Sequence, residues 1–163
     1  AVIVGFATAF VLGLVLYQSR SPLLFLAFIG FTVAFSTAFV SIAVGFSAFT
    51  ASASRAAAGA VGTFALCNFV WTVVPNVLYV LQTGTMMPDA GEFPSWFVFL
   101  KRLSPTGAYE GTILLFQGPA VLQSKLGGPA PFYLSWWFAL LVLGLWIVLP
   151  SWVGYRRFRD ADL

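Results

Sequence analysis

Residues 56–82, AAAGAVGTFALCNFVWTVVPNVLYVLQ, follow the polar stretch TASASR at 50–55, and after Arg55 no charged residue occurs until Asp89. At 1.5 Å per residue, the 26 residues from Ala56 to Leu81 would form a helix of roughly 39 Å, enough to cross a hydrocarbon core of about 30 Å with some tilt. The stretch reads as a membrane span. Asn68, Thr72 and Asn76 recur at i, i+4 and i+8, which sets three polar side chains along one helical face. That face is expected to avoid lipid, either as interhelical hydrogen-bonding positions or as the lining of a path for substrate. Pro75 lies inside the same run and withdraws one backbone N–H, so a kink is expected beside Asn76.

The rest of the chain agrees with a bilayer as solvent. Apolar residues make up 60% and charged residues 8%, with a mean hydropathy of +0.94; in soluble domains about a quarter of residues are charged. Working outward, Leu23 to Phe49 forms a second uncharged run dotted with Ser36, Thr37, Ser41 and Ser47, small hydroxyl residues that suit close helix contacts. Ala58 with Gly62 and Gly59 with Thr63 form small-xxx-small pairs of the same kind. Ala1 to Tyr17 is barely long enough to span and ends at an exposed turn marked by Arg20 and Pro22. The opening AVIVGFATAF has no initiator Met or flanking charge, so the chain reads as part of a longer one, and a secretory signal is the weaker reading.

Residues 83–131 hold six of the nine prolines and two apolar pieces too short to cross, SWFVFLKRL at 95–103 and TILLFQGPAVL at 112–122. Trp96 and Phe97 suit the headgroup level, and Lys101 and Arg102 can snorkel. Ser104 is a helix cap with Pro105 at the first helical position, so two short helices are expected to cap one membrane face. A last span at 132–153 opens with Phe132, Tyr133, Trp136 and Trp137 and closes with Trp146 and Trp152, an interfacial aromatic pattern.

The expected fold is therefore an all-α integral membrane domain of four transmembrane helices, at about 1–17, 23–49, 56–81 and 132–153, with an outer loop at 83–131 and a tail at 154–163. Four spans set Arg55, Arg156, Arg157 and Arg159 on one side, against Arg20, Lys101, Arg102 and Lys125 on the other. The numbers tie. The tail arginines abut a span end, and this places the C-terminus in the cytoplasm of a cell-membrane protein.

Several chemistries are excluded by composition. Without His there is no Ser/His/Asp triad, Cys/His dyad or His-ligated metal, and Cys67 has no partner for an internal disulfide. No phosphate-cradling glycine motif occurs, so the chain binds no ATP or other cofactor by a recognisable site, and neither catalytic residues nor metal ligands are expected. The net charge of +3 is scattered between apolar runs, which suits a lipid bilayer rather than nucleic acid. No carboxylate lies within an expected span; Glu110 is the nearest candidate for a cavity-facing acid, and a solvated interfacial charge is its simplest reading.

Four short motifs in fixed order carry a family resemblance: S-x-S-R-A-A-A at Ser52 to Ala58, W-T-V-V-P at Trp71 to Pro75, R-L-S-P-T-G-A-Y at Arg102 to Tyr109, and G-Y-R-R-F-R-D-A-D-L at Gly154 to Leu163. The chain resembles the permease subunits of ABC-2 type ATP-binding-cassette transporters, especially the branch likened to permeases of multicopper-enzyme maturation systems. The resemblance implies six spans with cytoplasmic termini, the four here being the third to sixth, and re-entrant helices on the outer side matching Ser95 to Leu122. It also implies a second permease copy or paralogue and an ABC ATPase subunit that binds the ATP. The chain departs from the pattern by lacking the first two spans and their coupling helices, so the turn at Thr50 to Arg55 is not given the main coupling role.

On this reading the protein is a transport subunit, an exporter by family likeness, that shapes a path while another polypeptide hydrolyses ATP. Asn68, Thr72 and Asn76 line the path or a dimer seam. Leu103, Ser104, Pro105, Tyr109 and Glu110 form an outer gate, and Arg55, Arg156, Arg157 and Arg159 anchor the cytoplasmic side. The alternatives are a secondary carrier, which calls for intramembrane acids or an inverted repeat, and a membrane scaffold that transports nothing.

Overall fold

The computed structural model describes residues 22–86, 88–89 and 92–161, and among these the secondary structure is helical with no strand. The elements are α1 (Pro22–Phe49), α2 (Ala53–Ala65), a π-helical turn (Leu66–Val70), α3 (Trp71–Thr83), α4 (Ser95–Arg102), α5 (Pro105–Thr112), α6 (Leu114–Gln117), α7 (Pro119–Leu126), a 3-10 turn (Phe132–Leu134) and α8 (Trp136–Ala161). Three stretches are long and apolar enough to cross a membrane: Leu23–Phe49, Ala53–Thr83 and Trp136–Arg157. The span expected at 1–17 and the turn at Arg20 lie outside the described residues.

The reversal between α1 and α2 takes three residues. Thr50 donates its hydroxyl to the Ser52 carbonyl at 2.9 Å, and the same carbonyl accepts the Ala56 N–H at 3.0 Å, which starts α2. α2, the π turn and α3 then form one continuous helix, closed by Gly84 in the left-handed conformation (φ 75°) with its N–H on Val80 O at 2.8 Å. Pro75 stays within α3 and is buried. One turn upstream the helix is π-helical, where the Trp71 N–H bonds Leu66 O, five residues back.

α1 and α8 make the principal seam, and they run parallel, because residue numbers rise together along their contacts. Phe31 meets Trp136, Ser41 bonds Ile147 O and the Ser151 hydroxyl, and Gly45 faces Pro150 and Gly154. A Cβ on Gly45 would sit 2.9 Å from Pro150 O, and one on Gly154 would sit 3.1 Å from Gly45 Cα, so the helices approach at backbone distance. Of the hydroxyl residues expected to bond across helices, Ser41 does so, whereas Ser36 and Thr37 bond the carbonyls of Thr32 and Val33 within α1. The small-residue pairs of α2 also divide. A Cβ on Gly59 would strike the Phe46 ring of α1 at 2.5 Å, but Gly62 has nothing within 4 Å.

The segment between the long helices holds four short helices rather than two. The apolar piece at 112–122 is broken by Gly118 (φ 80°) and Pro119 into α6 and α7. α4 and α5 form a helical hairpin packed between α3 on one side and α1 with α8 on the other. Ala38, Ala108, Val142 and Leu143 form the buried core where α5 meets the parallel pair. α8 begins at Trp136, after the 3-10 turn, and stays helical to Ala161, through most of the stretch read as a tail.

Candidate functional site

The motif R-L-S-P-T-G-A-Y occupies the tip of the hairpin and the first turns of α5. Ser104 is the N-cap, accepting the Gly107 N–H at 3.0 Å on its hydroxyl, and Pro105 occupies the first helical position, where its missing N–H costs nothing. Gly107 is required by proximity: a Cβ there would lie 2.7 Å from the Lys101 carbonyl carbon and 3.1 Å from Arg102 Cα. Gly111 does the same against α8, where a Cβ would lie 2.7 Å from that of Ala139.

A helix ending inside an apolar bundle leaves carbonyls without partners, and these must be satisfied locally. At the end of α4 two indoles do so. Trp71 Nε1 donates to Leu100 O and Trp146 Nε1 to Leu103 O, each at 2.8 Å. Trp146, read from the sequence as closing the aromatic pattern of the last span, thus has its polar edge turned to the hairpin. Its N–H is satisfied by the Leu103 carbonyl, at a position about 15 Å along α8 from Trp136.

The remaining tip residues tie the hairpin to the long helices. Thr106 donates to Asn68 Oδ1 at 2.8 Å. Tyr109 stacks on Phe35 at 4.7 Å between ring centroids, and its hydroxyl lies 3.1 Å from that of Thr32. Ser104 and Pro105 are buried, Leu103 and Tyr109 are half-buried, and Glu110 is exposed on the outer side of α5. Arg102, expected to snorkel, instead donates from Nη1 to Leu134 O at the turn before α8. Burial pulls its guanidinium below the ordinary value, and the Glu110 carboxylate pulls it partly back.

Asn68, Thr72 and Asn76 do share one face, but their surroundings differ. Asn68 is half-buried, with Nδ2 on Phe64 O at 2.9 Å and its oxygen on Thr106. Thr72 is exposed and bonds Asn68 O in its own helix. Asn76 gives Nδ2 to Thr72 O at 3.0 Å, while its Oδ1 is buried and accepts no hydrogen bond among the described residues.

Because α1 and α8 are parallel, the turn preceding α2 and the end of α8 lie together. Arg55, Arg156, Arg157 and Arg159 are exposed there, with Arg156 over the Trp152 ring at 3.8 Å. The hairpin tip lies toward the middle of the helices, away from this cluster. Trp71, Trp146, Thr106 and Gly107 were not singled out as site residues from the sequence. A glycine three places after a Ser-Pro cap was the one local sign, since no helix start needs glycine there unless another backbone is close.

The family model described as "ABC-2 family transporter protein" matches residues 1–163. No curated protein and no solved structure matches the chain.

Proposed function

The chain belongs to the ABC-2 family of transporter proteins, and on that premise we propose that it forms the translocation path of an ATP-driven exporter. Family membership makes it the membrane-spanning permease component, working with an ABC ATPase that carries the nucleotide chemistry. The chain itself does not hydrolyse ATP.

The observation that carries the reading is the hairpin tip, whose residues bond α3 through Trp71, α8 through Trp146, α1 through Thr32 and the π turn through Asn68. In this reading α4 and α5 re-enter the bilayer from the outer face, and Leu103, Ser104, Pro105, Tyr109 and Glu110 form an outer gate. The depth of Trp146 supports it, since about 15 Å is half of a hydrocarbon core of about 30 Å. The arginine-rich end faces the cytoplasm. The order of the four motifs favours the branch that resembles multicopper-enzyme maturation permeases.

Asn68, Thr72 and Asn76 line the path or its seam with a second permease copy. Two features support this: Thr72 is exposed on an otherwise apolar surface, and the Asn76 oxygen awaits a donor. The test uses the full-length permease with its cognate ATPase in proteoliposomes. With Cys67→Ala as background, Thr72→Cys is expected to give an oxidant-dependent permease dimer, and Asn68→Leu with Asn76→Leu is expected to impair transport or assembly. Failure to isolate a Walker-motif ATPase with an active preparation would count against the transport reading. If the paired Leu variant transports and assembles normally, the polar-face role is wrong.

A further inference from the structure

α4, α5 and α7 enclose a second feature, which shares Glu110 with the proposed outer gate. Their facing sides form a cleft of about 370 Å³, within the range of small-molecule sites. The Phe93 N–H on Lys125 O at 3.1 Å ties the end of α7 to the approach to α4 and so holds the cleft together.

Its lining combines two chemistries. Lys101, Arg102 and Lys125 bring three positive charges and Glu110 one negative, leaving a formal excess of two. Among the described residues none of these cations forms an ion pair, and Lys101 lies over the Phe97 ring at 4.6 Å. Arg102 spends one donor on Leu134 O, and its planar fork has others to give. The other wall is apolar: Val98 and Leu114 are half-buried and Val121 is exposed, over a floor closed by the buried Phe97 and Leu122. A water-soluble anion would leave that wall unused, and a neutral lipid tail would leave the positive charges unanswered.

We propose that this cleft binds a phosphate-bearing amphiphile, its headgroup held by Lys101, Arg102 and Lys125 and its apolar body laid against Val98, Leu114 and Val121. The excess of two positive charges matches the one to two negative charges of a phosphate monoester. Occupancy of the cleft stands apart from the direction or cargo of transport, because it is read in the absence of ATP.

The test is equilibrium binding to the full-length permease–ATPase complex in detergent, followed by native mass spectrometry. The probes are dioctanoyl phosphatidic acid, dioctanoyl phosphatidylcholine and glycerol 3-phosphate. Saturable binding is expected with phosphatidic acid preferred over both others. Lys125→Gln and Lys101→Gln are each expected to weaken it about fivefold, the usual effect of one basic residue near anionic lipid, and Glu110→Gln to tighten it. Lys125 is exposed and makes no side-chain hydrogen bond among the described residues, so its variant tests binding rather than folding. Equal binding of phosphatidylcholine overturns the proposal, as does glycerol 3-phosphate binding as tightly as the amphiphile. So does Arg55→Gln, at the far end of the helices, weakening binding as much as Lys125→Gln, since that marks general surface attraction.

Discussion

Replacing Gly107 by Ala adds one methyl group at the point where α5 passes closest to the end of α4. The new carbon would stand 2.7 Å from the Lys101 carbonyl carbon and 3.1 Å from Arg102 Cα, both backbone atoms that no rotamer change can move. Carbon–carbon contact is comfortable at about 3.7 Å, so the two segments must part by roughly 1 Å. Parting them loosens the cap, in which Gly107 N–H meets the Ser104 hydroxyl at 3.0 Å and Ala108 N–H meets Ser104 O at 2.8 Å. A lost cap costs about 1 kcal/mol and overpacking about 1–3 kcal/mol, giving a local destabilisation of about 3 kcal/mol. By the tenfold-per-1.4 kcal/mol rule this is about a hundredfold faster hydrogen–deuterium exchange across residues 103–112. Gly62→Ala is the control, because nothing lies within 4 Å of the added carbon and exchange there is expected to stay level or slow. If Gly107→Ala exchanges like the parent protein, the close approach of α5 to α4 is wrong.

Three further outcomes follow from the same structure. Trp146→Phe removes the indole donor from Leu103 O, and Trp71→Phe leaves Leu100 O with only the Leu103 N–H; each is expected to cost about 1 kcal/mol, read as faster exchange confined to the hairpin; exchange unchanged in both would remove the indole bonds from the account. Gly154→Leu forces α8 off Gly45 and Ala48 and is expected to lower stability by about 2 kcal/mol in reversible unfolding, whereas Gly144→Ala, with open space, is expected to be mild. In a Cys67→Ala background, Arg55→Cys and Arg157→Cys are expected to react with an impermeant maleimide from the same side of sealed vesicles, because α1 and α8 are parallel; labelling from opposite sides would break that topology.

The long helices were legible because their signal is local: uncharged runs at 23–49 and 56–81 need no knowledge of neighbours to be read as helices in lipid. The same is true of the Ser104 cap and Pro105, whose roles depend on adjacent backbone alone. What escaped depends on distant partners. Trp146 and Trp152 look alike in the sequence, yet one indole bonds the hairpin and the other lies under Arg156. Gly59 and Gly62 belong to overlapping pairs of one pattern, and only the phase of α2 against Phe46 separates them. The π turn at Leu66–Val70 carries no proline or glycine, so nothing local in the sequence marks it. Charge at Arg102 suggested escape to the surface, whereas the nearby Leu134 carbonyl holds it inside.

The hairpin tip has a mechanical consequence. Its bonds to Trp71, Trp146 and Thr32 reach separate long helices, so the tip cannot travel with one of them and keep its hold on the others. Sliding of any helix is therefore felt at Leu100 to Tyr109 as a choice between rigid co-movement and simultaneous release. A segment of ten residues thus acts as the common reference for displacements that begin far from it.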